Sequence, residues 1–171
     1  MKKECIKMKH HTFEELEELI NKDSRKNIEL TSLRTWGDPP KEDSILIVEA
    51  ILGVKFPEDY RRFLLKWGYI ESGIPYEIFG LGTKLNDKLI TSWLVRYTLE
   101  ARLPAEAPYN GTNLPLYYVV IYDDEDVYHC IDTRDPDGKV IAWDYFNACY
   151  DFLLADSFID YFYDQIYNES Y

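Results

Sequence analysis

The feature that most constrains this chain is a change of hydrophobic period at Gly68. Before it, apolar residues recur at helical spacing; after it, short β-branched and aromatic runs alternate with turn residues. On the helical side, Thr12 and Glu15 form a capping box ahead of Phe13, Leu16, Leu19 and Ile20, which predicts a helix over residues 13–22. Residues 25–41 lack a clear period and end in the breaker cluster Gly37-Asp38-Pro39-Pro40, so they read as a connecting loop. Ser44 is placed to cap a helix through Leu52 that Gly53 closes. Pro57 then fits the first turn of another helix, closed by Gly68. In that helix Tyr60, Phe63, Leu64 and Trp67 make one apolar stripe, with Arg61, Arg62 and Lys66 on or near its rim.

Beyond Gly68, strands are expected over residues 74–79, 117–122, 127–132 and 139–145. Asp123-Asp124-Glu125-Asp126 joins two of them as a hairpin loop, and Asp135-Pro136-Asp137-Gly138 supplies the next turn. Residues 91–103 carry Trp93, Val95, Tyr97, Leu99 and Leu103 and read as helical. Ser157 and Asp160 cap a final helix whose apolar face is Phe158, Ile159, Phe162 and Ile166. The expected fold class is α+β: an antiparallel meander flanked by helices, in one domain of residues 42–171 with residues 1–41 packed on it as an extension.

Charge narrows the function. The chain has 31 acidic and 19 basic side chains among 171 residues, a net charge of −12, and the whole excess lies in residues 105–171 together with 11 of the 15 tyrosines. Nucleic acid and anionic membranes are excluded as partners, because binding them needs Lys and Arg against phosphates. A charged partner is expected to be basic. Four like charges in the 123–126 hairpin tip repel one another, and Asp160 and Asp164 repeat the conflict at i, i+4 on the last helix; stability explains neither. A surface that steers a basic protein does. Asp123, Asp124, Glu125, Asp126, Asp160 and Asp164 are therefore the expected steering residues, with Tyr122, Tyr128 and Tyr161 as aromatic anchors.

Catalytic and metal chemistry find little support. His129 and Cys130 are adjacent on a strand, so they point to opposite faces and cannot share an ion. Asp135, Asp137, Gly138 and Asp144 mimic part of a calcium loop, but Thr133 stands at its first ligand position and Pro136 interrupts it, so a hairpin turn is the better reading. No P-loop, GxGxxG, GxSxG or HExxH occurs, and the expectation is a non-enzyme with no cofactor. MKKECIKMKHH has no apolar stretch behind it, no run approaches membrane-spanning length, and Cys5, Cys130 and Cys149 form no CxxC pair, which points to the cytoplasm.

Six segments resemble a known family in its order. They are LGVKFPEDYRRFLLKWG (52–68), YEIFGLG (76–82), TLEAR (98–102), YYVVIYDDEDVYHCIDT (117–133), GKVIAWDY (138–145) and LADSFIDYFYDQI (154–166). Together they resemble the SUKH superfamily, bacterial immunity proteins related to fungal cell-wall assembly regulators. The resemblance implies an antitoxin that binds a cognate toxin, commonly an LXG-class nuclease, and is strongest to Bacillus-type antitoxins. A non-enzymatic regulatory scaffold for an endogenous protein is the alternative. The shared residues have structural meanings: Gly53 ends a helix, Pro57 starts the next, Tyr60, Phe63 and Trp67 are core, and Gly80 permits a tight bend beside the sheet.

Overall fold

The computed structural model describes residues 10–23, 34–35, 39–71, 77–81, 92–106, 111–124 and 126–168. Helix α1, Phe13–Asp23, starts where the capping box predicts: the Glu15 amide donates to Thr12 Oγ1 at 3.1 Å, and the Thr12 amide donates to Glu15 Oε2 at 3.0 Å. Helix α2, Glu42–Leu52, begins two residues before Ser44, with Lys41 at the cap, so Ser44 lies inside the first turn instead of capping it. Gly53 closes it at φ +68°, a left-handed conformation that suits a residue without Cβ. Helix α3, Glu58–Trp67, follows with Pro57 at its cap and buries Tyr60, Phe63 and Leu64. A buried carboxylate fixes the turn between α2 and α3: Glu49 accepts from the Phe56 amide at 2.8 Å and from Arg61 at 2.5 Å.

Strands β1, Arg34–Thr35, β2, Ile70–Glu71, and β3, Glu77–Ile78, form a small antiparallel sheet in that order. β1 thus lies in the stretch expected to be loop, and only its pairing with β2 reveals it. Of the strand expected over residues 74–79, the described part is β3 and Phe79; residues 74–76 lie outside the described residues. Gly80 sits where backbones nearly touch: the Leu81 amide donates to the Gly68 carbonyl at 2.8 Å, and a methyl on Gly80 would overlap that carbonyl.

Helix α4, Trp93–Ala101, is capped by Ser92, whose hydroxyl accepts from the Val95 amide. Four antiparallel strands then meander in chain order: β4, Tyr118–Asp124, β5, Val127–Asp132, β6, Val140–Asp144, and β7, Cys149–Ala155. β7 was not expected from the sequence. Helix α5, Phe158–Asn168, begins at the predicted cap, where Ser157 Oγ accepts from the Asp160 amide at 3.0 Å. The architecture is the expected α+β meander with flanking helices.

Alternation along β5 shows how the sheet is covered. Tyr128 packs toward α4 through Tyr97, while the next residue, His129, bonds Tyr161 on α5. On the α5 side, Phe63 packs against Tyr60, Trp67, Phe158 and Phe162 with ring centroids 5.4–6.0 Å apart, making an aromatic hub between α3 and α5. Among the described residues, no helix is long and apolar enough to cross a membrane.

Candidate functional site

The hairpin between β4 and β5 carries the acidic tip, and the strand pleat splits its charges between two faces. Asp123 pairs across the ladder with Tyr128, and its carboxylate accepts a hydrogen bond from the Tyr145 hydroxyl. Burial, and then that bond to Asp123, push the Tyr145 phenol well above its ordinary value, so it remains a donor. Asp124 pairs with Val127 and lines an open cleft on the opposite face with Tyr122, Val127, His129, Phe152, Leu154 and Gln165. The cleft holds about 330 Å³, at the small end of ligand pockets. Asp126 is exposed at the tip, and Glu125 lies outside the described residues.

His129 is a buried residue lining this cleft. Its Nδ1 lies 2.7 Å from the Tyr161 hydroxyl and its Nε2 lies 3.7 Å from Asp124. Burial pushes the imidazole down to about 4, against the pull of Asp124, so it is neutral at pH 7. The side chain beside Asp124 in the cleft is therefore an uncharged imidazole.

The structure gathers only part of the expected set. Tyr122 and Asp124 share the cleft, and Asp123 stands beside the Tyr128–Tyr145 stack. Tyr128 and Tyr161, expected as anchors, are buried inside the fold, one between α4 and the sheet and the other against His129. Asp160 is also buried: it accepts from the His11 amide at 2.7 Å and from Ser157 Oγ at 2.8 Å, and His10 Nδ1 lies 3.0 Å away. Its carboxylate ties residues 10 and 11 to the start of α5. Asp164 is exposed one turn further on, near His11.

Sequence reasoning missed the exposed aromatic residues. Phe146 is 78% exposed in the turn before β7, and Tyr150 and Phe152 on β7 are 51% and 49% exposed. The available signal was the apolar and aromatic content of CYDFLLA, the β7 segment, directly after the turn Tyr145-Phe146-Asn147-Ala148. The thiols differ: Cys130 is buried, where desolvation pushes it well above its ordinary value, and Cys149 is exposed at the start of β7. The last two cations are both engaged within the chain, Arg134 with Asp132 at 2.7 Å and Lys139 with Asp135 at 3.3 Å. Residues 140–168 contain neither Lys nor Arg.

A sequence model of the SUKH_5 family, described as "SMI1-KNR4 cell-wall", matches residues 14–168. The chain belongs to the SUKH superfamily. Four solved chains also match. One is the crystal structure of a protein from Pseudomonas syringae pv. tomato, 19% identical, covering 85% of this chain and 93% of that one with a TM-score of 0.58. That similarity concerns the fold. No curated protein matches significantly. SUKH is a family that includes immunity proteins and whose members bind partner proteins, and in this SUKH domain the family match takes in α1 as well as the later elements. The family reading is of a generally non-enzymatic immunity or regulatory domain.

Proposed function

We propose that this SUKH domain is an immunity protein that neutralises a cognate bacterial toxin in the cytoplasm by stoichiometric binding, and that the toxin is a basic nuclease domain of the LXG type. The observation that carries the reading is the charge at one end of the large sheet. Asp123, Asp124 and Asp126 of the hairpin tip share that end with Asp144 and Asp151, the exposed aromatics Phe146 and Tyr150 stand among them, and residues 140–168 supply no cation. A cleft that a nuclease uses to hold phosphates is basic, and such a field attracts it and speeds association. Asp123, Asp124, Glu125 and Asp126 steer, Asp164 adds to the field, and Tyr122 with Tyr150 and Phe152 supply contact area. Asp160, Tyr128 and Tyr161 hold the scaffold.

Co-expression with the toxin domain encoded beside this gene tests the reading. Survival with the protein and death without it are expected. Equal killing in both cultures refutes neutralisation and favours a scaffold for an endogenous partner.

A further inference from the structure

The two edges of the large sheet are finished differently. At the β4 edge the Val120 amide donates to Thr98 Oγ1 at 3.0 Å, and the Ile121 carbonyl accepts from the Phe79 amide at 2.7 Å. At the β7 edge the strand pairs with β6 alone, and among the described residues no backbone group of Cys149–Leu154 bonds beyond that ladder. An open edge presents unpaired amides and carbonyls, and proteins ordinarily blunt it with Lys, Pro, a very short strand or bulges that turn it away from a long partner sheet. β7 is seven residues long with no Lys and no Pro, and Tyr150, Phe152 and Leu153 are 40–51% exposed along it.

Its ladder to β6 skips Asp151 and Leu154, so two bulges bend the strand. Such an edge opposes open-ended sheet stacking and suits a short added segment. Charge selects which segment. The register places Asp124, Val127, Asp144 and Cys149 in one row across the sheet, so β7 begins at the acidic end, and exposed Asp151 follows two residues later. Two copies pairing antiparallel near the centre of β7 would bring the two Asp151 carboxylates to neighbouring positions, which is destabilising. A segment bearing Lys or Arg has the complementary sign.

We propose that β7 captures a short, extended, basic segment of the partner protein as a fifth strand, with a Lys or Arg beside Asp151. The proposal rests on the reading of this chain as a partner-binding immunity domain and names the mode of contact. Main-chain hydrogen bonds to β7 supply affinity, Tyr150, Phe152 and Leu153 receive alternate side chains, and Asp151 sets the preferred charge.

The test uses the full chain and a blocked octapeptide alternating Lys and Val, with a Glu–Val octapeptide as control. Amide hydrogen exchange should slow at residues 149–155 with the Lys–Val peptide and not with the control. Asp151→Asn should weaken binding about two- to fivefold, the range of an exposed ion pair. Asp151→Lys, which places a blunting cation on the exposed edge, should weaken it by about tenfold or more while leaving the unfolding midpoint near that of the parent. Unchanged exchange at 149–155 with about 1 mM Lys–Val peptide overturns the proposal, as does equal protection by the Glu–Val peptide. Protection of β7 in the free protein that disappears on dilution overturns it in favour of a second copy. No toxin enters this titration, so its failure sinks strand capture and leaves neutralisation standing, whereas failure of the co-expression experiment sinks neutralisation and not the titration result.

Discussion

Thr98→Val isolates the bond that closes the β4 edge. Thr98 and Val120 are fully buried, and the Thr98 hydroxyl is the acceptor for the Val120 amide at 3.0 Å. Valine matches threonine in shape, so packing is retained while the amide loses its partner in a site water does not reach. A buried donor left unmade costs about 1–3 kcal/mol. Taking about 2 kcal/mol, a domain of this size should melt roughly 4–8 °C lower. Urea unfolding followed by tryptophan fluorescence should show the midpoint falling by about 1 M with an unchanged slope, since the surface exposed on unfolding is the same. The Val120 amide should also exchange faster, because the edge has been opened. Thr98→Ser keeps the hydroxyl and loses only a methyl group, worth about 0.8 kcal/mol, so it should be the more stable variant. A valine variant as stable as the parent, or a serine variant less stable than the valine one, would refute the view that this hydrogen bond closes the edge.

Two further outcomes follow from the cleft and the charge. His129 titrates at about 4 when folded and near its ordinary value of 6.5 when unfolded, so between those pH values the unfolded chain binds the extra proton. Stability should therefore fall as pH drops from about 6.5 to 4, by up to about 3 kcal/mol, and show no His129 contribution to pH dependence above that window. His129→Gln should remove this slope; a parent-minus-variant difference that stays constant from pH 4 to 7 would contradict it. For the complex, raising salt from about 0.01 M to 1 M shortens the screening length from about 30 to 3 Å, so the association rate should drop by about tenfold or more. A rate unmoved by salt in stopped-flow mixing would show that the acidic end does not steer.

Much of the fold was legible because it is written in local chemistry. The caps at Thr12 and Ser157 act within three residues of themselves, and the stripe Tyr60-Phe63-Leu64-Trp67 needs only helical geometry to face one way. β5 fell on its expected residues, and β4 and β6 fell within one or two, because alternation and turn residues bound them. β7 escaped since alternation arises from covering one face: exposed on both sides for most of its length, it shows no period of two. β1 escaped for another reason, since two residues form a strand only when β2 arrives from far along the chain.

The candidate site divides in the same way. Sequence alone determined the sign and the place of the charge, because composition and the 123–126 tip do not depend on folding. It also determined that His129 and Cys130 face opposite sides of a strand. Only the tertiary structure decided that both sides are covered there, so that Tyr128 and Tyr161 become core, and that residues 10 and 11 fold over Asp160. It likewise decided which edge of the sheet stays open. Those outcomes depend on which distant surfaces meet, and burial is a property of the pair of surfaces in contact, carried by neither segment alone.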